Sequence, residues 1–518
     1  MDLPEHGLSP EAVRTAWTEA STSDVDWRGG RSWSLVYDSP DWHQDLVDEA
    51  AALFAHENAL SASAFPSTQQ FESEVVAMVA SVIAPESESY GVFTTGGTES
   101  IMVAMKGYRD SGRGRRLVMP VTAHPGFWKA ADYLGLQVTL VEVGADGLPD
   151  TDELMAAVDE DTAAICLSAP CFPYGVVDPI AAIAEQAAAR GVGVHVDAAM
   201  GGLFLPFLDA AGTAPPAFGL DVPGVTSVSV DLHKYGYGAK GASVLLFAEP
   251  ELRHASYYVS TGWPGGAYAA SGVVGTRSVG AAAGAWTAMC ALGRSGYAEL
   301  VGQVMGTARQ IQAGLVEHGF EVIGEPPMGV FAATHPEISV PALAGAMGRR
   351  GWWIDTQDQP SSLHFVTFPR HASVVDQLLT DLDALAAEPP ARARVIPLAV
   401  AGAFHTEYMA AATDDLAAAA SAMEVSDPSV TILSNSDGTA VEAGREYVDR
   451  LVRQVTNPVR WDLCQEALLN SGVTGMIELV PGGTLTGIAR RAMKGVETFA
   501  IKSAADLDGA REFAAAHA

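Results

Sequence analysis

The stretch Ser229-Val230-Asp231-Leu232-His233-Lys234-Tyr235-Gly236-Tyr237-Gly238-Ala239-Lys240-Gly241 decides how this chain reads. It closes an apolar run, residues 225–230, whose β-branched content predicts a strand. One lysine follows the strand end directly and a second follows six residues later, with glycines between them that let the backbone turn sharply. A lysine held in this way can form a Schiff base with a carbonyl compound. A lone lysine is more often a solvated surface charge, so the reading rests on what the other strand ends carry.

Four strand ends matter. Residues 90–100, Tyr-Gly-Val-Phe-Thr-Thr-Gly-Gly-Thr-Glu-Ser, read as a strand and a Gly-Gly turn, followed by a helix over 101–108. Glycines, hydroxyls and the unpaired N–H groups of a helix start suit a phosphate, although a plain helix cap has the same pattern. No Gly-Lys-Ser/Thr follows, so this is not a P-loop. A strand at 117–120 leads to His124 and a helix over 126–134. His124 is placed either to stack on a bound ring or to cap the helix. Strands at 163–168 and 193–196 flank a helix over 178–190, and the second ends in Asp197. A carboxylate there can pair with a protonated pyridine nitrogen, or cap a loop. Asp197 precedes Lys234 by 37 residues. Phosphate donors, a ring, an acid and an amine at separate strand ends together meet the needs of pyridoxal 5'-phosphate. Short apolar strands alternating with helices predict an α/β fold with a mostly parallel sheet.

The chain has 518 residues, room for more than one domain. Its 30 basic and 62 acidic residues give a formal charge of −32, which disfavours nucleic acid and anionic lipid. Cys166, Cys171, Cys290 and Cys464 have neither metal nor disulfide spacing. No metal site is expected. The N-terminus lacks the pattern of a signal peptide, and no apolar run is long enough for a membrane anchor. The expectation is a cytoplasmic enzyme acting on a small molecule.

Five segments are expected: an arm (1–60) with exposed tryptophans at 17, 27, 33 and 42, a large cofactor domain (61–280), a small α+β domain (281–388), a linker (389–394) and a tail (395–518). Helical spacing is expected at 41–54 and 71–83, a strand at 242–247, and separate helices at 281–292 and 297–317.

Four runs carry a family likeness: Thr94-Thr95-Gly96-Gly97-Thr98-Glu99-Ser100, His195-Val196-Asp197-Ala198, Asp231-Leu232-His233-Lys234-Tyr235-Gly236 and Trp263-Pro264-Gly265-Gly266. Over about residues 35–388 the chain resembles the sphingosine-1-phosphate lyases, within the pyridoxal-phosphate-dependent decarboxylase group. The resemblance implies a fold-type-I homodimer with active sites at the subunit interface. It implies that Lys234 bonds the cofactor aldehyde, that Asp197 pairs with the ring nitrogen and that His124 stacks on the ring. Gly97, Thr98 and His233 would hold the phosphate, with Gly275 and Thr276 reaching across from the partner subunit. Lys240 would contact a substrate phosphate. Two histidines of the family pattern are replaced, within Asn58-Ala59-Leu60-Ser61 and Phe172-Pro173-Tyr174-Gly175, which makes Asn58 and Tyr174 substrate-binding candidates. The implied reaction cleaves the C2–C3 bond of a phosphorylated long-chain amino alcohol to an aldehyde and phosphoethanolamine. Amino-acid decarboxylation is the alternative within the group, and a non-catalytic scaffold is the alternative outside it.

The tail has another character. Ala401-Gly402-Ala403-Phe404-His405-Thr406, Asn457-Pro458-Val459-Arg460-Trp461 and Glu478-Leu479-Val480-Pro481-Gly482 resemble the C-terminal part of malonyl-CoA:acyl-carrier-protein transacylases over about 395–505. His405 matches that family's catalytic histidine, but the chain has no Gly-His-Ser-x-Gly elbow. A base without its nucleophile does not transfer acyl groups. A relic, or a docking piece for a polyketide or fatty-acid synthase, is expected. The apolar stretch 395–404 is expected to be covered by the main domain or a partner.

Overall fold

In a computed structural model of the chain, seven strands build one sheet: β1 (Tyr90–Thr94), β2 (Arg116–Pro120), β3 (Gln137–Val141), β4 (Thr162–Ser168), β5 (Gly193–Asp197), β6 (Val225–Asp231) and β7 (Ser243–Phe247). Their spatial order is β1-β7-β6-β5-β4-β2-β3. Neighbours from β3 through β6 pair in parallel, and β7 runs antiparallel to both β6 and β1. All residues of β4, β5 and β7 are buried. Strands covered on both faces need such unbroken apolar runs. This is the expected α/β, fold-type-I architecture. Because β7 alone is reversed, the C-terminal ends of the other six strands lie along one edge, where open α/β sheets bind ligands.

The structure describes residues 3–387, 405–480 and 482–517, which fall into two compact units, Met1–Val395 and Ile396–Ala518. The expected linker and the apolar stretch 395–404 lie outside the described residues. In the first unit, the two helices expected at 281–292 and 297–317 form one run, Gly280–Glu317, kinked at Gly293 (φ 58°, ψ −177°). Glycine takes that left-handed angle without a Cβ clash, so the interruption legible in sequence is a bend and not a loop. A four-stranded antiparallel sheet follows, ordered Glu321–Val322, Val330–Thr334, Ser361–Val366, Asp355–Asp358, with helices Val340–Gly348 and Val375–Ala387.

The arm corrects one expectation. Trp17 and Trp42 are exposed, but Trp33 is fully buried. Its backbone bridges the small sheet, with Trp33 N donating to Trp353 O at 3.0 Å and Val366 N donating to Trp33 O at 2.7 Å. Its ring stacks on His371 at 3.8 Å and meets Phe365 edge-on. The partners lie more than 300 residues away in sequence, beyond any local pattern. This anchoring sets the following residues, Leu35 to Tyr37, at the sheet's C-terminal edge.

The second unit holds a parallel strand pair, Gly475–Glu478 with Glu497–Ala500, and helices including Gly444–Gln454, Trp461–Asn470, Thr484–Ala492 and Leu507–Ala516. The Glu478 carboxylate accepts from the N–H groups of Gly483, Leu485 and Thr486. It thereby caps the helix that follows. Although burial opposes ionisation, these bonds bring its pKa down to about 2.

Among the described residues, no helix is long and apolar enough to cross a membrane, and no acidic, histidine or cysteine cluster has the form of a metal site.

Candidate active site

Two adjoining cavities, of about 420 and 320 Å³, open at the C-terminal edge of the large sheet. Gly97, Thr98, His124, Asp197, His233, Lys234 and Lys240 all line the first. Seven residues from four strand ends therefore meet in one place.

The phosphate-like nest forms where β1 gives way to helix Gly97–Asp110. The N-cap is Gly96 at φ 152°, an angle that favours glycine. A Cβ on Gly97 would sit 3.0 Å from both Asp231 carboxylate oxygens. Two residues without side chains thus leave a cradle open at a helix N-terminus, whose first N–H groups have no partner within the helix. Thr94, Ser100 and Ser243 join their hydroxyls beneath it, at 2.6 and 3.0 Å.

β5 and β6 lie side by side, with Asp197 opposite Ser229. Asp197 Oδ1 accepts from Ala199 N at 3.0 Å and from the Ser229 hydroxyl at 3.4 Å. Burial pushes its pKa up, while Lys234 and His124 pull the other way. Behind it His195 is fully buried and bonded to Ser227. Burial brings the His195 pKa down to about 3, so this ring is neutral.

Lys234 Nζ lies 3.0 Å from Asp231 Oδ2, and His233 Nε2 lies 3.6 Å from the same oxygen. Burial alone would lower the lysine pKa, but Asp231, with Tyr37 and Asp197, holds it above its usual value. Asp231 is buried and its Oδ1 has no hydrogen-bond partner. Burial would raise its pKa, but Lys234 and His233 keep it low. The apoprotein therefore stores Lys234 as an ammonium ion against Asp231. Asp231 is visible in the sequence motif, but its role appears only in the fold.

His124 caps the helix and also lines the site. Its Nδ1 accepts from Gly126 N at 3.0 Å, capping the turn into helix Gly126–Leu134, and it lines both cavities.

The second cavity is the less polar one. Leu35, Tyr37, Pro170, Phe172 and Met200 line it together with Lys240. Lys240 Nζ donates to Leu35 O at 3.2 Å and sits 5.0 Å over the Tyr37 ring. Burial, then Lys234, lowers the Lys240 pKa. Burial pushes the Tyr37 pKa up to about 12, so it stays a phenol. Sequence reading missed Leu35, Tyr37, Phe172 and Met200, because apolar and aromatic residues in an arm and in loops carry no motif.

Four other expected residues are not at these cavities. Tyr174 packs on Gly147, and its hydroxyl donates to Gln359 O at 2.5 Å, so Phe172 takes the wall position instead. Asn58 forms a bridge with Ser278, and its side chain accepts from Leu60 N. Gly275 and Thr276 do not line the cavities of their own chain.

A larger cavity, about 560 Å³, lies in the second unit among Arg450, Arg453 and Arg460. Arg450 is paired with Asp437 and Glu446, and Arg460 with Asp462. The one hydroxyl among its lining residues, Ser436, is hydrogen-bonded to Ser434 at 2.7 Å, and His405 is turned to Gln454 O at 2.7 Å. The chemistry belongs to the first unit.

The cradle without side chains, the buried acid and the lysine fit pyridoxal phosphate, which Gly97, Thr98 and His233 would hold by its phosphate, His124 by its ring face, Asp197 by its ring nitrogen and Lys234 by its aldehyde. Comparison with known proteins agrees. Residues 43–207 match the aminotransferase class-V family. A sphingosine-1-phosphate lyase of Dictyostelium discoideum is 37% identical over 387 residues, 73% of each chain. A probable L-tyrosine/L-aspartate decarboxylase of Methanothermobacter thermautotrophicus is 31% identical over 341 residues, 64% of this chain and 92% of that one. The solved sphingosine-1-phosphate lyase of Burkholderia pseudomallei superposes with a TM-score of 0.71 at 34% identity, covering 75% of this chain and 92% of its own. These likenesses and the converged site make the chain a pyridoxal-phosphate-dependent lyase, a member of the sphingosine-1-phosphate lyase family.

Proposed function

We propose that the chain cleaves the C2–C3 bond of a phosphorylated long-chain amino alcohol, giving an aldehyde and phosphoethanolamine. One observation carries this reading: among the lining residues, Lys240 is the cation left over once the cofactor residues are assigned, and it faces the wall of Leu35, Tyr37, Phe172 and Met200. An ammonium beside apolar surface suits a substrate with a phosphate at one end and a hydrocarbon chain at the other. When bound, pyridoxal phosphate supplies the electron-accepting ring. The protein's share is positional. Asp197 would hold the proton of the ring nitrogen, Asp231 would hold the Lys234 ammonium whenever that amine is free, and Tyr37 stays a phenol whose hydroxyl donates to Met200 Sδ at 3.2 Å.

Amino-acid decarboxylation is the second reading, favoured by the decarboxylase relative and by the loss of both family histidines. Against it, among the described residues no arginine lines either cavity to grip a carboxylate. Incubation with sphingoid phosphates and with an amino-acid panel, assaying aldehyde and carbon dioxide together, separates the two. Aldehyde is expected; carbon dioxide without aldehyde transfers the assignment to decarboxylation. Lys240→Ala is expected to lower kcat/KM for the phosphorylated substrate about 10–100-fold, as loss of one charge-assisted contact does. The cofactor's visible absorption is expected to persist. Equal turnover in the variant removes the phosphate-contact role.

Two further parts of the reading are tested together. The working unit is proposed to be a homodimer in the cytoplasm, with Gly275 and Thr276 serving the neighbouring site. The tail is proposed to be a transacylase relic, with docking to a polyketide or fatty-acid synthase as the other reading. A chain ended after Val395 is expected to sediment at twice its own mass and to keep full lyase turnover. A monomer removes the shared site, and lost turnover removes the relic.

A further inference from the structure

Glu99 is not explained by the chemistry above. It is the third residue of helix Gly97–Asp110, and its residue is buried. One carboxylate oxygen accepts from Thr95 N at 2.7 Å and from Thr95 Oγ1 at 2.6 Å. The other accepts from Val273 N at 2.6 Å and Val274 N at 3.0 Å. Thr95 belongs to the nest, whereas Val273 and Val274 belong to the 271–279 loop, which follows the ribbon of Tyr258–Ser260 and Tyr268–Ala270. Each oxygen thus serves a different segment, and the segments lie more than 170 residues apart in sequence.

The loop has a second clamp. Asn58 bridges Ser278, Ala59 N donates to Arg277 O at 2.9 Å, and Arg277 pairs with Glu72. Between the two clamps only Gly275 and Thr276 remain, and no atom lies within 4 Å of a Cβ built on Gly275. The loop therefore presents a two-residue tip held on both sides. Val273 and Val274 are exposed hydrophobics, so little apolar burial fastens that end, and the carboxylate is its main tether.

We infer that Glu99 is a positioning residue that couples the phosphate nest to the 271–279 loop: a filled nest tightens the loop tip, and a loosened loop weakens the nest. Any such coupling acts equally in both directions. The inference rests on reading the nest as the cofactor-phosphate site, but its first test does not need the cofactor.

Hydrogen exchange at the Val273 and Val274 amides is measured on the full-length apoprotein and after addition of pyridoxal phosphate. Two variants attack the tether from opposite ends. Glu99→Ala removes the carboxylate and with it both pairs of bonds. In Gly272→Ala, the new Cβ would lie 2.7 Å from Glu99 Oε1 and displace the carboxylate without removing its charge. In both apo variants the two amides are expected to exchange about tenfold faster than in the parent, as loss of charge-assisted bonds implies. In the parent, pyridoxal phosphate is expected to slow them at least about threefold, and in both variants to bind about tenfold more weakly. Unchanged exchange in both apo variants overturns the tether whatever the nest binds. Faster exchange with unchanged cofactor affinity overturns the coupling. Failure of the parent to bind pyridoxal phosphate at all overturns the cofactor reading and leaves the apo result standing on its own.

Discussion

Lys234→Ala is expected to lower product formation by about three orders of magnitude or more and to abolish the visible absorption that depends on a lysine–cofactor bond. Among the described lining residues the other amine, Lys240 Nζ, is engaged with Leu35 O. The same change has a structural cost, because it strips Asp231 of its nearest cation. Removing one member of a buried pair destabilises by about 3–5 kcal/mol when the remaining charge finds no partner. The second cation, His233, lies 3.6 Å from Asp231 and reduces that cost. The pair's contribution has a defined pH window. Asp231 has a depressed pKa, so its share is present above the unfolded value near pH 4 and is lost as acid protonates it. Lys234 has a raised pKa, so its share is full below about pH 10 and is lost above that. The stability gap between parent and variant should therefore be widest from about pH 5 to 10. Adding Asp231→Asn to Lys234→Ala is expected to restore much of the melting temperature and none of the turnover. Turnover that survives in the single variant refutes the role of Lys234; turnover recovered with stability in the double variant shows that the loss was one of folding.

Asp197→Asn should have the next largest effect: a fall in kcat of about two to three orders of magnitude, little change in KM, and retained cofactor. Asparagine keeps the size and can still accept from Ala199 N and the Ser229 hydroxyl. It presents no negative charge, so a proton on the ring nitrogen is no longer held. The neutral His195 behind Ser229 cannot replace it as an anion. Steady-state kinetics on the variant are the measurement, and an unchanged kcat would falsify the ring-nitrogen role.

Which parts of this were legible beforehand follows from where the residues sit. Lys234, Asp197, His124 and the Gly96-Gly97 turn each end a short apolar strand, so periodicity and turn chemistry mark them locally. The parallel sheet does the rest, since such strands end on one edge. What stayed hidden depends on distant contacts. Trp33 is buried by Phe365 and His371, and Leu35 and Tyr37 reach the cavity only because that tryptophan is anchored. The short edge strand β3, partly exposed, lacks the apolar run that marked its neighbours. Position 174 drew attention as the replacement for a family histidine, but the chain there sets the partly exposed Phe172 at the cavity wall and sends the buried tyrosine to Gln359. Residue identity fixed neither orientation.

The spacing between acid and amine is set by the hydrogen-bonded register of β5 and β6, two interior strands of the sheet. Leu35, Phe172 and Met200 hang from an arm and from connecting segments, where backbone changes disturb no ladder. Reactivity and substrate choice are thus inherited separately. Descendants of this chain can drift in diet by exchanging three wall residues while the reactive centre is handed on intact.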